Sequence, residues 1–440
     1  MFTIEKEKEM LCENISYSKS GELCFADMPL CALAEKYGTP LYLYDEARIR
    51  ERCRTYRAAA ELAFSGNTKI LYASKAASFK RLYEIMREEN MGIDVVSCGE
   101  IYTAVLAGYP LENAYFHSNN KTDRDIEYAI EHNVGYFVVD NVEELYAIDR
   151  IAGERAVRQK LLLRLTPGID PHTYAAVSTG KVDSKFGSAI ETGQAKEITR
   201  VALSLENIDL RGFHSHVGSQ VFDSDVYLRA ADVMLTFIKE INDELGFLAS
   251  ELDIGGGYGV KYLPEHPNID IAENIAEVGA FINKRAEELG IAAPTVIFEP
   301  GRSIVSDAGI TLYTVGTVKR IPGYKTYVSV DGGMTDNPRY ALYRSPYTVL
   351  PVMRGNGEEE VVSVVGRCCE SGDIIQENVS LPSAISRGDL IACLTTGAYN
   401  YSMASNYNRL PRPPVVMLDK GVSYVAVRRE TEENVASLDV

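Results

Sequence analysis

Between residues 70 and 299 the chain repeats one pattern: a short apolar run that ends in polar or glycine residues, then a stretch with helical spacing. The runs cover 70–73, 93–97, 114–118, 136–140, 161–165, 212–217, 252–255 and 296–299. Helical patterns follow the first seven, at 79–89, 100–107, 124–131, 142–151, 189–205, 225–245 and 271–289. In the sixth of these, Val226, Ala230, Val233, Phe237, Ile241 and Leu245 trace one apolar stripe at the 3.6-residue period. Strands buried on both faces read as continuous apolar runs, and helices must cover them. Eight such units in about 230 residues suit a (β/α)8 TIM barrel, a fold of ~250 residues. The competing arrangement is an open doubly wound sheet, whose Gly-x-Gly-x-x-Gly turn after the first strand is missing here.

The flanking sequence reads differently. Residues 15–25 and 40–45 are strand-like, with a short helical pattern at 32–37 between them. After residue 310 come strand patterns without long helices, at 311–321, 326–330, 361–368, 390–395, 414–418 and 423–428. Pro322-Gly323, Asn356-Gly357 and Arg387-Gly388 supply turns between them. The expected α/β architecture is therefore a barrel over 46–304 plus an antiparallel β domain, sandwich-like or barrel-like, built from 1–45 and 305–440. A chain of 440 residues is long enough for two such cores.

Composition narrows the partners. A formal net charge of −17 disfavours nucleic acid and anionic membranes. No apolar run approaches the ~20 residues of a membrane span, and the charged first ten residues carry no secretory h-region. Eight cysteines at 12, 24, 31, 53, 98, 368, 369 and 393 include no Cys-x-x-Cys, which suits free thiols in the cytoplasm. The six histidines are dispersed, apart from His214 and His216, so no metal centre is expected.

Barrel enzymes carry their active sites at the C-terminal ends of the strands. Read in order, those ends hold Lys75 after the first run and Asp94 in the second. The sixth offers His214, His216, Gly218 and Ser219, the seventh opens into Gly255-Gly256-Gly257-Tyr258-Gly259, and the eighth into Glu299-Pro300-Gly301-Arg302. Consecutive glycines let peptide N–H groups approach an anion, and barrel phosphate sites commonly lie after the last two strands. A phosphate site, a lysine amine and a carboxylate on one rim point to pyridoxal 5'-phosphate. Lys75 would form the Schiff base, Glu299 would keep a proton on the pyridine nitrogen, and His216 would stack on the ring. The long connection 166–187, rich in glycine and proline, reads as a lid on the same face.

These residues sit inside a longer set of motifs: Tyr72-Ala73-Ser74-Lys75-Ala76, 92–100, Asn119-Asn120-Lys121, 178–187, 214–220, 253–259, 299–302, 331–343, Cys369-Glu370-Ser371-Gly372-Asp373 and 397–408. In order and content they resemble the diaminopimelate decarboxylases, a family of fold-type III pyridoxal-phosphate-dependent decarboxylases. The resemblance runs from about residue 40 to 415. It implies decarboxylation of meso-2,6-diaminopimelate at its D-centre to L-lysine and carbon dioxide, the last step of lysine biosynthesis, through a cofactor aldimine and quinonoid.

The resemblance also implies roles residue by residue. Lys75 carries the cofactor; Asp94, Ser219, Gly255, Gly256, Gly257, Gly301 and Arg302 line it; Glu299 pairs with the ring nitrogen and His216 stacks beneath. Arg302, Arg339, Tyr343 and Glu370 hold the distal end of the substrate, and Tyr399 touches both substrate and cofactor. Cys369 returns a proton to Cα. Cys369 and Glu370 reach into the neighbouring subunit's site, so a homodimer is expected. Two departures from the family pattern, Ala77-Ser78 and Cys368, remove none of these groups. Ornithine, lysine or arginine decarboxylases of the same fold lack a use for Arg339, and racemases set an arginine where Glu299 stands. A non-catalytic pyridoxal-phosphate-binding regulator would have no need of both Lys75 and Cys369.

Overall fold

The computed structural model describes residues 12–170, 184–355 and 357–440. The charged N-terminal residues, positions 171–183 of the expected lid and Asn356 of one expected turn lie outside the described residues. By internal contacts the chain forms two units: one runs up to Glu51 and adds Val260–Pro267 and Ile304–Val440, the other is Arg52–Gly259 with Asn268–Ser303. No described helix is long and apolar enough to cross a membrane.

Among the described residues of the second unit, eight parallel strands close on themselves: Thr68–Ala73, Gly92–Val95, Ala114–Phe116, Tyr136–Val139, Gln159–Thr166, Ile208–His214, Glu251–Asp253 and Thr295–Phe298. The eighth pairs with the first, Val296 opposite Thr68 and Phe298 opposite Ile70, so no edge is left. Leu71, Tyr115, Val138, Leu162 and Ile297 fill the interior as one apolar cluster. The N-terminal end is closed by polar groups instead. Lys69 Nζ donates to Glu251 Oε1 (3.1 Å) and to the hydroxyls of Tyr115 (2.9 Å) and Tyr136 (3.2 Å).

The covering helices start and stop on local chemistry. Thr122 caps Asp123–Glu131 with a reciprocal capping box, and Asp270 accepts the Glu273 N–H at the start of Ile271–Leu289. Gly246 and Gly290, both left-handed, end the two longest barrel helices. On Asp225–Leu245 the buried face is wider than the expected stripe, because Tyr227, Met234 and Ile238 join Val226, Ala230, Phe237 and Ile241, while Val233 and Leu245 are half-buried. An eighth helix, Glu46–Ala63, precedes the first strand and was not expected. Its Ile49, Cys53, Tyr56 and Ala60 are fully buried, a stripe at i, i+4, i+7 and i+11 within a charged sequence.

The other unit is a β domain. Gly309–Ile321 is its organising strand: the first half pairs with Leu41–Asp45 and Leu390–Cys393, the second half with Lys325–Val330. The change of partner falls at an irregularity between Val315 and Thr317, where a bulge lets one strand serve two sheets. Most pairings are antiparallel, but Lys325–Val330 runs parallel to Glu359–Val365 and Val415–Asp419 parallel to Leu41–Asp45. Several strand bounds differ from expectation. The stretch 15–25 splits into Ile15–Tyr17 and Leu23–Phe25 around a turn at Gly21 (φ +80°), and a third short strand, Met28–Pro29, completes a small sheet. The strand expected over 361–368 ends at Val365, which puts Cys368 and Cys369 in a loop. Ile374–Pro382 is an additional strand.

Asp336 sits inside this domain, accepting from Gly333 N–H (2.9 Å) and the Tyr313 hydroxyl. Burial pushes its carboxyl up to about 7. Because the folded value exceeds the unfolded one, this group's stabilising contribution is full below about pH 4 and is lost as pH rises through 7. Asp336→Asn should therefore flatten the loss of stability between pH 5 and pH 8. In urea melts the difference from wild type should change by roughly 2 kcal/mol over that range.

Candidate active site

The strand ends of the barrel gather the titratable groups. Lys75 lies in the single turn Ser74–Ala76 directly after the first strand, itself exposed between two buried neighbours. Its positive charge acts on Asp94, Glu100 and His216. Asp94, on the second strand, is 1% exposed, and burial pushes its carboxyl up against the counter-pull of His117. Glu100 accepts the Val96 N–H at 2.7 Å and is pushed up to about 7 by burial.

Glu299, just past the eighth strand, is the centre of this group. His117 Nε2 lies 2.7 Å from its Oε1, and His214 Nε2 hydrogen-bonds its Oε2 at 3.2 Å. Burial alone would protonate the acid, but the two histidines outweigh it and hold the carboxyl well below its usual range. Burial also pulls His214 down to about 4, so its ring is neutral and its Nε2–H is the donor. Asp253, at the end of the seventh strand, is pushed well above its usual value by burial and by Glu299, and it accepts the Gly255 N–H at 2.8 Å. Arg164 on the fifth strand is the cation that Asp140, Glu299, Asp94 and Asp253 stabilise against burial.

The glycine run packs where side chains would not fit. A Cβ on Gly256 would lie 2.0 Å from the Glu299 carbonyl oxygen, and one on Gly257 would lie 2.0 Å from that of Gly218. Gly255 (φ +74°) runs against His216, whose Nδ1 accepts the Gly256 N–H at 3.3 Å. That ring is half-buried and neutral, held well below its usual value by desolvation, with Lys75 adding to the effect. Arg302 donates through Nε (3.2 Å) and Nη2 (2.9 Å) to Ser219 Oγ. Gly301 lets that turn approach the first strand, since a Cβ there would meet Ala73 Cβ at 2.9 Å.

The group these residues suit can be tested on the polar atoms they leave over. Asp94 Oδ1, His117 Nε2 and Glu299 Oε1 are buried without a well-formed hydrogen bond among the described residues. An ionised carboxylate so placed suits a ring N–H⁺, and the glycine N–H groups with Arg302 and Ser219 suit a phosphate. The residues fit pyridoxal phosphate. His117, His214 and Glu299 also bring their ligand-capable atoms within 4.8 Å of one another, a grouping invisible in the sequence spacing, and the His214–Glu299 contact has hydrogen-bond geometry.

The expected distal-site residues lie in the β domain. Arg339, at the start of the helix Arg339–Tyr343, is 5% exposed, and its guanidinium stands 5.3 Å from the Tyr343 ring and 5.0 Å from that of Tyr399. Nη2 donates to Ser345 Oγ at 3.3 Å, whereas Nε is buried with no acceptor among the described residues. Tyr399 holds a left-handed backbone (φ +63°), strain of the kind that accumulates at functional positions. Cys369 and Glu370 are exposed in the loop after Val365. Asn408 fixes the Cys369 N–H (2.8 Å), and Asp373 takes the Cys368 N–H (2.7 Å). The Cys368 thiol is pushed up to about 12 by burial, with Asp373 next in effect.

Reading from the sequence missed His117, Arg164 and Glu100, and left His214 without a role. The rule that found Lys75 and Glu299 would have found His117, since it directly follows the third strand. Lys121, by contrast, belongs to a motif but is structural: Glu144 Oε1 (2.7 Å), Val138 O (2.7 Å) and Ser118 O (3.2 Å) saturate its ammonium.

A closed parallel barrel with such a rim defines the class of pyridoxal-phosphate-dependent barrel enzymes. Residues 46–306 match the family model described as "Pyridoxal-dependent decarboxylase, pyridoxal binding domain". The diaminopimelate decarboxylase of Bacillus subtilis is 41% identical over 424 residues, covering 96% of each chain. The structure of diaminopimelate decarboxylase from m. jannaschii in co-complex with L-lysine superposes with a TM-score of 0.91 at 31% identity, over 97% of this chain and 98% of that one. The Helicobacter pylori diaminopimelate decarboxylase complexed with L-lysine gives 0.84 at 31% identity, over 93% of this chain and 99% of that one. The chain belongs to the diaminopimelate decarboxylase family, and its cofactor is pyridoxal phosphate.

Proposed function

We propose that the chain removes the carboxylate at the D-centre of meso-2,6-diaminopimelate, giving L-lysine and carbon dioxide. The observation that carries this choice of substrate is Arg339. Its guanidinium is buried between two tyrosines with Nε unpartnered among the described residues, a setting for a substrate carboxylate. Ornithine, lysine and arginine have no second carboxylate to offer it.

When bound, pyridoxal phosphate supplies an electron-accepting ring for the pair released as the bond to the leaving carboxylate breaks. Lys75 would hold its aldehyde carbon, while Ser219, Gly255, Gly256, Gly257, Gly301 and Arg302 would hold its phosphate. Asp94 and Glu299 would face its ring, Glu299 keeping the ring nitrogen protonated, and neutral His216 would support one face. Arg302, Arg339, Tyr343 and Tyr399 would orient the substrate, and Glu370 would take its distal ammonium. The Cys369 thiol would then give its proton to Cα. We assign the cofactor site to 46–304 and the substrate and proton-donor residues to 1–45 and 305–440.

We further propose a homodimer in which Cys369 and Glu370 act in the partner subunit's site. Their exposure in a loop pinned by Asn408 and Asp373 supports that reading. Eight cysteines outside any disulfide support a cytoplasmic location. Cys369→Ala should lower carbon dioxide release from meso-diaminopimelate by about 10²–10⁴-fold. Mixing it with Lys75→Ala subunits should restore up to a quarter of wild-type activity, as expected when half the dimers are mixed and each has one of its two sites intact. No restoration after subunit exchange would refute the shared site. Faster release from lysine or ornithine than from diaminopimelate would refute the substrate.

A further inference from the structure

A carboxylate that keeps a proton on a neighbouring ring nitrogen must be the weaker base of the two. Burial works against this, because desolvation raises a carboxylic acid's proton affinity. Glu299 is 6% exposed and shares its surroundings with Asp94 and Asp253, two further acids that disfavour its charge. Something must compensate. A lysine or arginine at hydrogen-bonding distance would do so, but its formal charge would also repel a cationic ring. Neutral imidazoles can stabilise the carboxylate through N–H dipoles without that competition.

The structure places one histidine at each oxygen of Glu299. His214 closes the sixth strand and reaches Oε2 at 3.2 Å; His117 follows the third strand and reaches Oε1 at 2.7 Å. The rings stand edge to face, centroids 5.0 Å apart at 73°, so each packs against the other beside the carboxylate. Both are buried, at 1% and 6% exposure. Asp253 borders the same carboxylate, and Arg164 supplies positive charge from the fifth strand. Neither histidine has a part in the chemistry assigned above.

We propose that His117 and His214 form a clamp on Glu299, positioning residues that hold its two carboxylate oxygens oriented for the cofactor's ring nitrogen. The inference rests on the reading of Glu299 as the partner of that nitrogen. It predicts that the protonation state of the ring, and not merely turnover, depends on two residues that need not touch the cofactor.

The test loads purified enzyme with isotope-labelled pyridoxal phosphate and follows the ring-nitrogen NMR resonance, with cofactor affinity measured alongside. In His117→Leu/His214→Leu the resonance should move towards the unprotonated position. Cofactor affinity should fall roughly tenfold or more per histidine removed. Gln at either position keeps an N–H donor and should retain most of the wild-type signal, a rescue that a purely space-filling role would not give. Far-UV circular dichroism reports whether the double variant folds. If it does not fold or does not load, the single Leu variants carry the same expectation in graded form. A protonated ring at wild-type affinity in the folded Leu variants would overturn the clamp. If instead Glu299→Gln leaves the resonance unmoved, the assignment of Glu299 itself has failed, whatever the histidines do.

Discussion

Lys75→Ala should yield a folded protein whose release of carbon dioxide from diaminopimelate is lower by about a thousandfold or more. The size of the effect follows from the absence of a substitute. Lys69 is committed to Glu251 and two tyrosines at the opposite end of the barrel. Lys121 is buried with three acceptors around its ammonium. Neither can swing to the first strand's C-terminal end to take over a covalent role. Lys75 is also exposed, and substitutions at exposed sites usually change stability by about 0.5 kcal/mol or less. The melting temperature should therefore stay close to wild type while the borohydride-sensitive absorbance of the bound aldehyde disappears. Near-normal turnover in the alanine variant would remove Lys75 from the mechanism.

Gly256→Ala should be a strongly damaging single-methyl change on the rim. The backbone there is not left-handed, so alanine meets no conformational objection and the effect is steric. The new Cβ would lie 2.0 Å from the Glu299 carbonyl oxygen and 2.8 Å from its carbon. Relief by backbone movement is blocked, because Glu299 N–H donates to Gly255 O (2.8 Å) and Ile254 N–H to Ile297 O (3.1 Å). The ends of the seventh and eighth strands must separate, at a cost of roughly 3 kcal/mol. That movement also displaces Glu299 and the phosphate-facing N–H groups together, so cofactor affinity should fall about a hundredfold. Gly290→Ala makes a useful contrast: its Cβ meets open space, and only the left-handed backbone (φ +65°) resists it, at about 1 kcal/mol. Denaturant melts and cofactor titration of the two variants would separate packing from conformation. Equal losses in both would refute the steric account.

The barrel was legible because its strands are buried on both faces and its helices bury one stripe, so two periods alternate in the sequence. Glu46–Ala63 escaped notice because it precedes the first run and its buried Ile49, Cys53, Tyr56 and Ala60 are outnumbered by charged neighbours. In the β domain the period-2 signal is broken by irregular pairing. Ile374–Pro382 carries Gln376, Glu377 and a left-handed Asn378 (φ +57°), and its register against Glu359–Val365 shifts at Val362/Val364. The site divides in the same way. Lys75, Glu299 and the glycine run announce themselves at strand ends. His117, His214 and Arg164 matter through what they approach in space, 85 residues separating His214 from the acid it bonds.

The strand Leu41–Asp45 pairs on one side with residues 309–312 and on the other with 415–418. A ribosome releases the chain from its N-terminus, so this strand emerges early and finds its second neighbour only when translation is nearly over. The barrel, which closes once residues 295–298 can join residues 68–70, has all its strands available about 120 residues sooner. Synthesis thus sets an order: the cofactor-binding half can close while the β domain still waits with an unpaired strand. A nonsense codon shortly before residue 415 would leave that strand exposed for good, turning a late truncation into an aggregation-prone product instead of a slightly shortened enzyme.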